Sequence, residues 1–243
     1  MKDAASASER FDAADAGLAL LGLAAGSMDA LAFFHLAAVF PSAMTGNTAL
    51  LGLALGRGDL VAASSPLTAF AGFFVGAALA ARIDLAARGR PASRVVVLLL
   101  AIETGLLAAF VAGWRLGGPP SHGAGAYGLI GIASLAMGVQ SAAARLVGRS
   151  GISTVVFTST LTSIAAAVAE ALDRRPRALS CAALRQAGIV LSYGAGAVLA
   201  GLLAAHKPSV VFLPLLAVLG ALAFLRRAGP GAGNPAIRPD ASP

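Results

Sequence analysis

Residues 40–56 read FPSAMTGNTALLGLALG. A proline and a polar cluster precede an apolar run that ends at Gly56. A helix needs about 20 apolar residues to cross a bilayer, so this run is too short to span one. Because long apolar stretches lie on both sides of it, the pattern predicts a half-length helix inside a membrane domain.

The surrounding composition is that of an integral membrane protein. The 243 residues are 58% hydrophobic and 12% charged, with a mean hydropathy of +0.82. A soluble domain needs more polar surface than this to face water. The 29 glycines suit membrane helices that pack closely through small residues. Long apolar helices are predicted at 17–39, 60–82, 94–114, 124–145, 185–204 and 208–225.

The distribution of basic residues decides how the two short stretches, 44–56 and 152–172, meet the membrane. If both stretches enter and return on the same side, every Arg-rich loop and both termini lie inside, with fifteen of the 18 Lys and Arg residues. If both cross, the loops at Arg149 and Arg174 fall on opposite sides, which violates the positive-inside rule. The charges therefore predict six spans, two re-entrant segments and cytoplasmic termini.

The two halves of the chain share an order of motifs. "GSMDALAFF", "MTGNT" and "GFFVGAALAA" are followed later by "MGVQSAAAR", "TSTLT" and "YGAGAVLAG". Each half has three spans, an odd number, so the halves must be inverted relative to each other, as in many transporters. The predicted fold is all-α, with six transmembrane helices and two half-length re-entrant helices in two inverted three-helix repeats. The predicted domains are a cytoplasmic tail (1–16), a membrane domain (17–226, with repeats 17–114 and 124–226) and a disordered cytoplasmic tail (227–243).

Polar residues at the heads of the two half-length helices form the candidate site. Helix N-termini carry free N–H groups and partial positive charge, which attract anions and polar groups. Side-chain oxygens can cap such ends, and glycine allows a tight turn. These arguments predict substrate-binding residues at Thr45, Gly46, Asn47, Thr48, Thr158, Ser159, Thr160 and Gln140. The same residues would serve equally well as caps of broken helices that bind nothing.

Two acidic residues lie within predicted spans, Asp29 in the first and Glu103 in the third. An ionisable group inside a membrane is a functional candidate by default. Proton coupling and a neutral, hydrogen-bonded packing role both remain open for each residue.

Several other functions are excluded. Cys181 is the one cysteine, which rules out a disulfide framework, and no metal-ligand spacing occurs. The Gly123-x-Gly125-x-x-Gly128 match to a dinucleotide fingerprint has neither a preceding strand nor the required acidic residue. We therefore expect no cofactor and no enzyme activity; the alternative, an intramembrane acid pair of Asp29 and Glu103, has no nucleophile or metal ligands beside it, and the sequence spacing does not place the two together. The basic residues lie in short loops beside apolar runs rather than in a stripe with interleaved aromatics, so we expect no nucleic acid. The expected partners are the lipid bilayer and a small polar or anionic solute, and a homo-oligomer remains open.

Two stretches resemble the signatures of a known family. "GSMDALAFF…FPSAMTGNTALLGLALG" and "AMGVQSAAARL…TVVFTSTLTS" are similar to the YoaK-like bacterial proteins, and the resemblance covers residues 17–226. It implies a multi-pass protein of the bacterial inner membrane with about six helices and a domain of unknown function. It implies no substrate. This chain departs from the family's second motif, Thr-Gly-x-Leu-Thr, because Ser159 takes the place of the glycine.

Two functional hypotheses follow. The first is a transporter or channel for a small anion or polar solute, with its site between the two half-helix N-termini. The second is a non-transporting membrane scaffold or partner protein, in which the polar segments are structural.

Overall fold

The computed structural model describes residues 11–118, 123–147, 157–172, 181–204 and 208–227. Within these ranges every regular element is a helix. A short 3₁₀ helix, Pro208–Phe212, precedes the last of them. The α-helices are α1 (Ala13–His35), α2 (Met44–Gly56), α3 (Leu60–Ala86), α4 (Ala92–Gly117), α5 (Ala124–Leu146), α6 (Phe157–Leu172), α7 (Cys181–Ala204) and α8 (Leu213–Arg227).

Six helical segments of the described chain are long and apolar enough to cross a membrane. They are α1, α3, α4, α5, α7 and the segment Ser209–Arg227, which combines most of the 3₁₀ turn with α8. The two remaining helices, α2 with 13 residues and α6 with 16, are shorter than the roughly 20 residues that a span needs. The all-helical membrane fold with six candidate spans is thereby confirmed.

The first helix begins four residues before the predicted 17, inside the segment predicted as a tail. The Asp12 carboxylate accepts hydrogen bonds from the N–H groups of Ala14 (2.9 Å) and Asp15 (3.0 Å). In return, Asp15 Oδ2 accepts from the N–H of Asp12 at 3.1 Å. This reciprocal capping box satisfies free donors at the helix start, so a mixed-charge stretch becomes the first turn of a span.

The same helix ends at His35, before the predicted residue 39. Ala37 and Ala38 have φ angles of 56° and 54°, in the left-handed region that only glycine adopts without cost. Two such residues in a row reverse the chain at once. Of the predicted tail at 227–243, only Arg227 is described, and it ends α8. Residues 152–156, the start of the second predicted short stretch, also lie outside the described residues.

The direction of each span follows from its contacts. α1 and α7 run parallel, since Asp15 pairs with Arg185 near their starts and Gly26 meets Tyr193 further along. α3 and α5 also run parallel, with Ser64 bonded to Tyr127 and Gly76 against Leu135.

Further contacts complete the assignment. His35 packs edge-on against Trp114, so α1 and α4 end together, with ring centroids 5.4 Å apart. α8 is antiparallel to α1, because Gly17 meets Leu225 and Leu20 meets Gly220. α4 and α5 are antiparallel, because Gly113 near the end of α4 meets Leu129 near the start of α5. Thus α1, α4 and α7 share one direction, and α3, α5 and α8 share the other.

The core of the described bundle lies between α1, α4, α5 and α8. α1 packs against α7 and α8, while α5 packs against α3 and α4. The largest fully buried side chains, including Leu21, Met28, Leu99, Phe110 and Met137, come from α1, α4 and α5. The outer faces of α3 and α7 instead expose large apolar side chains, as expected of helices that face lipid.

Candidate functional site

A buried carboxylate on α1 forms the centre of the polar site. Asp29 Oδ1 accepts a hydrogen bond from the N–H of Ser42 at 2.7 Å. Its Oδ2 accepts from the hydroxyl groups of Ser42 and Tyr193, each at 2.6 Å. Asp29 is 2% exposed. One side chain therefore joins α1, the segment before α2, and α7.

The chain reaches Asp29 because residues 36–43, here called the fold-back segment, turn back along α1. The left-handed turn at Ala37 and Ala38 starts this reversal. Ser42 then lies beside Asp29. Asp29 is six residues before His35, where α1 ends. At 1.5 Å per residue, Ser42 lies about 9 Å back from that end. Non-helical backbone is thus placed well inside the bundle, where its polar groups need partners.

The side chain of Asn47 holds the fold-back segment by hydrogen bonds to the backbone of that segment. Its Oδ1 accepts from the N–H of Phe40 at 3.0 Å, and its Nδ2 donates to the carbonyl of Phe40 at 2.6 Å. Gly46 lies against the ring of Phe40, where an added Cβ would come within 3.0 Å of the ring. Asn47 is buried. The predicted ligand residues Gly46 and Asn47 therefore both contact Phe40.

The expectation that Thr45, Asn47 and Thr48 cap α2 is wrong. The N-cap residue is Ala43, whose own side chain makes no capping hydrogen bond. The Thr48 hydroxyl donates back to the carbonyl of Met44 at 2.9 Å, and Thr45 is exposed in the first turn. Capping fails because these residues lie within the first turns of the helix, whereas a capping side chain comes from the N-cap position, which alanine occupies here.

Asp29 itself supplies the anion expected at the start of α2. Its carboxylate binds the N–H and hydroxyl of Ser42, the residue immediately before the N-cap. A helix N-terminus favours negative charge, and here an acidic side chain of α1 meets that preference. Asp29 and the head of α2 are separate features in the sequence, whereas the fold brings them together.

The second half contributes less to the described site. Thr158, Ser159 and Thr160 lie in the first turn of α6, and their side chains are outside the described residues. Gln140 is buried on α5 and donates from Nε2 to the carbonyl of Leu21 on α1 at 3.0 Å. Leu21 is eight residues before Asp29, or about 12 Å along the helix. Gln140 is therefore separate from the Asp29 cluster.

Glu103 lies in the middle of α4 and is fully buried. Among the described residues, neither of its carboxyl oxygens has a hydrogen-bond partner. It differs in this from Asp29, which accepts three hydrogen bonds.

Three residues of the site were missed from the sequence: Phe40, Ser42 and Tyr193. Tyr193 gave a usable signal, because it is one of two tyrosines in the chain and a tyrosine in a span needs a partner for its hydroxyl. Phe40 contributes only its backbone N–H and carbonyl groups to the hydrogen bonds, and its residue type therefore gives no signal in the sequence.

A cavity of about 640 Å³ opens between α2, α3 and α5. Its walls are mostly apolar, and Arg57, Asp59, Ser65 and Tyr127 add polar groups. Ala37 and Ala38 also line it, so it borders the fold-back segment. In the part of the chain with assigned positions, no group of three or more His, Cys, Asp or Glu side chains could hold a metal ion.

Comparison with known proteins agrees with this membrane fold. The family model described as "Protein of unknown function (DUF1275)" matches residues 17–225. The chain belongs to the DUF1275 family. The UPF0700 transmembrane protein YoaK of Bacillus subtilis (strain 168) is 32% identical over 211 residues, covering 84% of this chain and 90% of that protein. The YoaK-like resemblance is thus confirmed.

No solved structure matches the chain. The DUF1275 match extends from α1 into α8 and includes Asp29, Ser42, Asn47 and Tyr193. The whole polar site therefore lies within the DUF1275 region.

Proposed function

We propose that this DUF1275 protein is a transporter or channel for a small polar solute. The proposal rests mainly on the Asp29 cluster. There a carboxylate and a stretch of irregular backbone lie together inside a bundle of membrane-spanning helices. Such groups are costly in a membrane and are tolerated where protein encloses them or where water and solute pass.

The span directions support a re-entrant α2. Since α3 runs opposite to α1, α3 begins at the end of the bundle where α1 finishes. Arg57 and Asp59, which follow α2, line the same cavity as Ala37 and Ala38, which follow α1. On this basis α2 enters from and returns to one side, and its N-terminus lies at membrane depth.

Matching contacts support two repeated halves. Gly26 of α1 meets the carbonyl of Tyr193 on α7, and Gly138 of α5 meets that of Phe73 on α3. Gly196 meets the carbonyl of Leu23, and Gly76 meets that of Leu135.

The pairs correspond in order, as they would if α1 and α5 were equivalent helices, and likewise α7 and α3. We propose that α6 is the counterpart of α2, and that the two halves are inverted repeats around a central site.

The Asp29 carboxylate bears on the choice of solute. A small anion or a polar solute is compatible with helix N-termini in general. At the head of α2, however, the negative charge of Asp29 already occupies the favourable position and would repel a second anion. A neutral polar solute suits this half of the proposed site better than an anion.

We propose that the cavity beside α2 is the entrance to this pathway. Its walls are mostly apolar, and the hydroxyl groups of Ser65 and Tyr127 in its lining would offer hydrogen bonds to a polar solute. Its position against the fold-back segment leads toward Ser42 and Asp29.

Uptake by proteoliposomes tests the transport proposal. The probes are glycerol and urea as neutral solutes, and acetate, nitrate and phosphate as anions. We expect protein-dependent uptake of at least one probe, with neutral probes ahead of anions. Thr45→Val should reduce uptake several-fold, because it removes an exposed hydroxyl from the first turn of α2 while keeping the side chain's shape.

Thr104→Val is the matched control for this substitution. The Thr104 hydroxyl bonds to the carbonyl of Leu100 within α4, at 2.7 Å, so its loss should leave uptake unchanged. No uptake of any probe, together with co-purification of another membrane protein, would favour the scaffold hypothesis. Equal uptake in both variants would remove Thr45 from the site.

Reporter fusions test the proposed orientation in the bacterial inner membrane. Fusions after Gly58 and Lys207 should report outside, and fusions after Arg90, Arg149, Arg177 and Arg227 should report inside, following the positive-inside rule. Opposite reports at Arg149 and Arg177 would mean that the chain between them crosses the membrane, which the re-entrant proposal forbids.

A further inference from the structure

Glu103 occupies the centre of the buried face of α4. Val96, Leu107, Phe110 and Trp114 share that face and are all buried. Both Glu103 oxygens lie in this apolar core with no hydrogen-bond donor among the described residues. An unpartnered carboxylate there would carry a large desolvation cost, so the site must satisfy it in another way.

Gln140 of α5 lies at the same level of the bundle. α4 and α5 are antiparallel and meet where a Cβ on Gly113 would lie 3.0 Å from the Leu129 side chain. Glu103 is ten residues before Gly113, and Gln140 is eleven residues after Leu129. At 1.5 Å per residue these offsets are about 15 Å and 16.5 Å, so the two side chains differ in height by about 1.5 Å.

Gln140 also lies on the face of α5 that meets α4. Eleven residues correspond to three turns of a helix, so Gln140 stands almost directly in line with Leu129. Its Nε2 is used by the carbonyl of Leu21, whereas its Oε1 has no partner in the described chain. Two buried side chains at one level therefore present acceptor oxygens that have no donor among the described residues.

We propose that Glu103 and Gln140 form a proton-binding site. A single proton on Glu103 makes its carboxyl group a donor, and Gln140 Oε1 accepts the resulting O–H hydrogen bond. This arrangement removes the buried charge and pairs two of the three open oxygens. The amide stays oriented because its other end is bonded to α1.

No described charged side chain reaches this level from the helices around α4. On α1, His35 packs against Trp114 near the far end of α4, and Asp29 is bonded to Ser42 and Tyr193. On α5, Tyr127 is bonded to Ser64 near the helix start, and Arg145 lies in the last turn. On α8, Arg226 and Arg227 end the helix. The charged groups of α3 (Arg82, Asp84) and of α4 itself (Arg94, Arg115) lie near helix ends. A cationic partner for Glu103 is thus absent from the described bundle core.

A metal cation fits the site less well than a proton. Hard cations take about six oxygen ligands, and Glu103 with Gln140 supplies three. The remaining unpartnered hydroxyl, that of Ser134, faces α3 instead, since its Cβ lies 3.2 Å from the position a Cβ on Gly72 would take. A proton needs only one donor atom and one acceptor.

Proton binding would deepen the proposed transport activity, and this coupling role rests on that proposal. Glu103 is linked through Gln140 to the backbone of α1, the helix that also carries Asp29. Loss of the proton would leave a charge in the core and favour a rearrangement of α4 against α5. Such a step couples proton release to movement of the bundle.

Infrared spectroscopy of the purified protein tests proton binding without any transport assay. A protonated carboxylic acid has a C=O stretching band well separated from those of carboxylates. We expect this band at neutral pH in the unaltered protein and its loss in Glu103→Gln, which keeps the side chain's shape and supplies an amide donor to Gln140. Gln140→Leu should shift the band to higher frequency, because the acid then loses its acceptor.

Asp29→Asn is the control, because Asp29 accepts three hydrogen bonds and is suited to the carboxylate form, so the band should persist. A band unchanged in Glu103→Gln, or unaffected in Gln140→Leu, would overturn the site. Loss of the band on exchange of potassium for sodium would point to a cation site instead. If the band behaves as expected while no probe is taken up, the proton site stands and the transport proposal fails.

Discussion

Asp29→Leu is expected to destabilise the protein more than any other single polar substitution in the bundle. The change leaves three donors buried without an acceptor: the N–H and hydroxyl of Ser42 and the hydroxyl of Tyr193. Each unsatisfied buried donor costs about 1–3 kcal/mol. The summed loss is therefore about 3–9 kcal/mol, comparable with the whole stability of a typical domain.

Two graded variants separate this effect from simple loss of packing. Tyr193→Phe removes one donor together with its bond to the carboxylate, so it should cost about 1.5–3 kcal/mol. Asp29→Asn should be milder than Asp29→Leu, because the two hydroxyl groups can rotate to accept from the amide while its oxygen accepts from the N–H of Ser42. Thermal unfolding in detergent gives the order, and equal losses in all three variants would contradict it.

The half-length helix α2 was predictable from sequence, and its observed bounds, Met44–Gly56, are those of the prediction. A proline, a polar cluster and a short apolar run are all local signals. The ends of α1 were not predictable to the same precision. Its start depends on a capping box within a mixed-charge segment, and its end depends on left-handed alanines, which carry no compositional mark.

The candidate site was predictable from the sequence in two of its polar residues but not in its connections. The sequence singled out Asp29 and Asn47, and the structure places both in one polar cluster around the fold-back segment. It could not show that Asn47 is held by the backbone of Phe40, because that contact depends on the path of the loop. Asp29 and Tyr193 are 164 positions apart in the sequence, and the periodicity of apolar residues along a helix does not predict such a long-range contact.

Close helix packing in this bundle depends on glycines that meet backbone rather than side chains. A Cβ added to Gly26 would lie 2.0 Å from the carbonyl oxygen and 3.0 Å from the Cα of Tyr193. Ordinary contacts between such atoms are about 3.5–4.0 Å, and a carbonyl within a helix cannot rotate away. Even one methyl group would therefore push α1 and α7 apart by more than about 1 Å.

We expect Gly26→Ala to lower the free energy of unfolding by about 3 kcal/mol or more, at the upper end of overpacking effects. The separation of the helices would also stretch the hydrogen bond from Tyr193 to Asp29, one helical turn away on α1. Gly105→Ala is the matched control, because a Cβ added there would have no described atom of another element within 4 Å. It should be neutral or gain about 0.5–1 kcal/mol from reduced chain entropy. Thermal unfolding measures both variants, and equal stability would refute the close contact.

The same substitution at Gly138 extends this test to the relation between the halves. An added Cβ there would lie 2.2 Å from the carbonyl oxygen of Phe73, nearly the distance found at Gly26. If α1 with α7 and α5 with α3 are equivalent pairs, Gly138→Ala should cost about as much as Gly26→Ala. Only Gly26→Ala should lose the hydrogen bond from Tyr193 to Asp29. The counterpart of Tyr193 beside Gly138 is Phe73, which has no hydroxyl group to donate. A larger effect of Gly26→Ala on uptake than of Gly138→Ala, at equal loss of stability, would therefore assign the Asp29 cluster a functional role beyond packing.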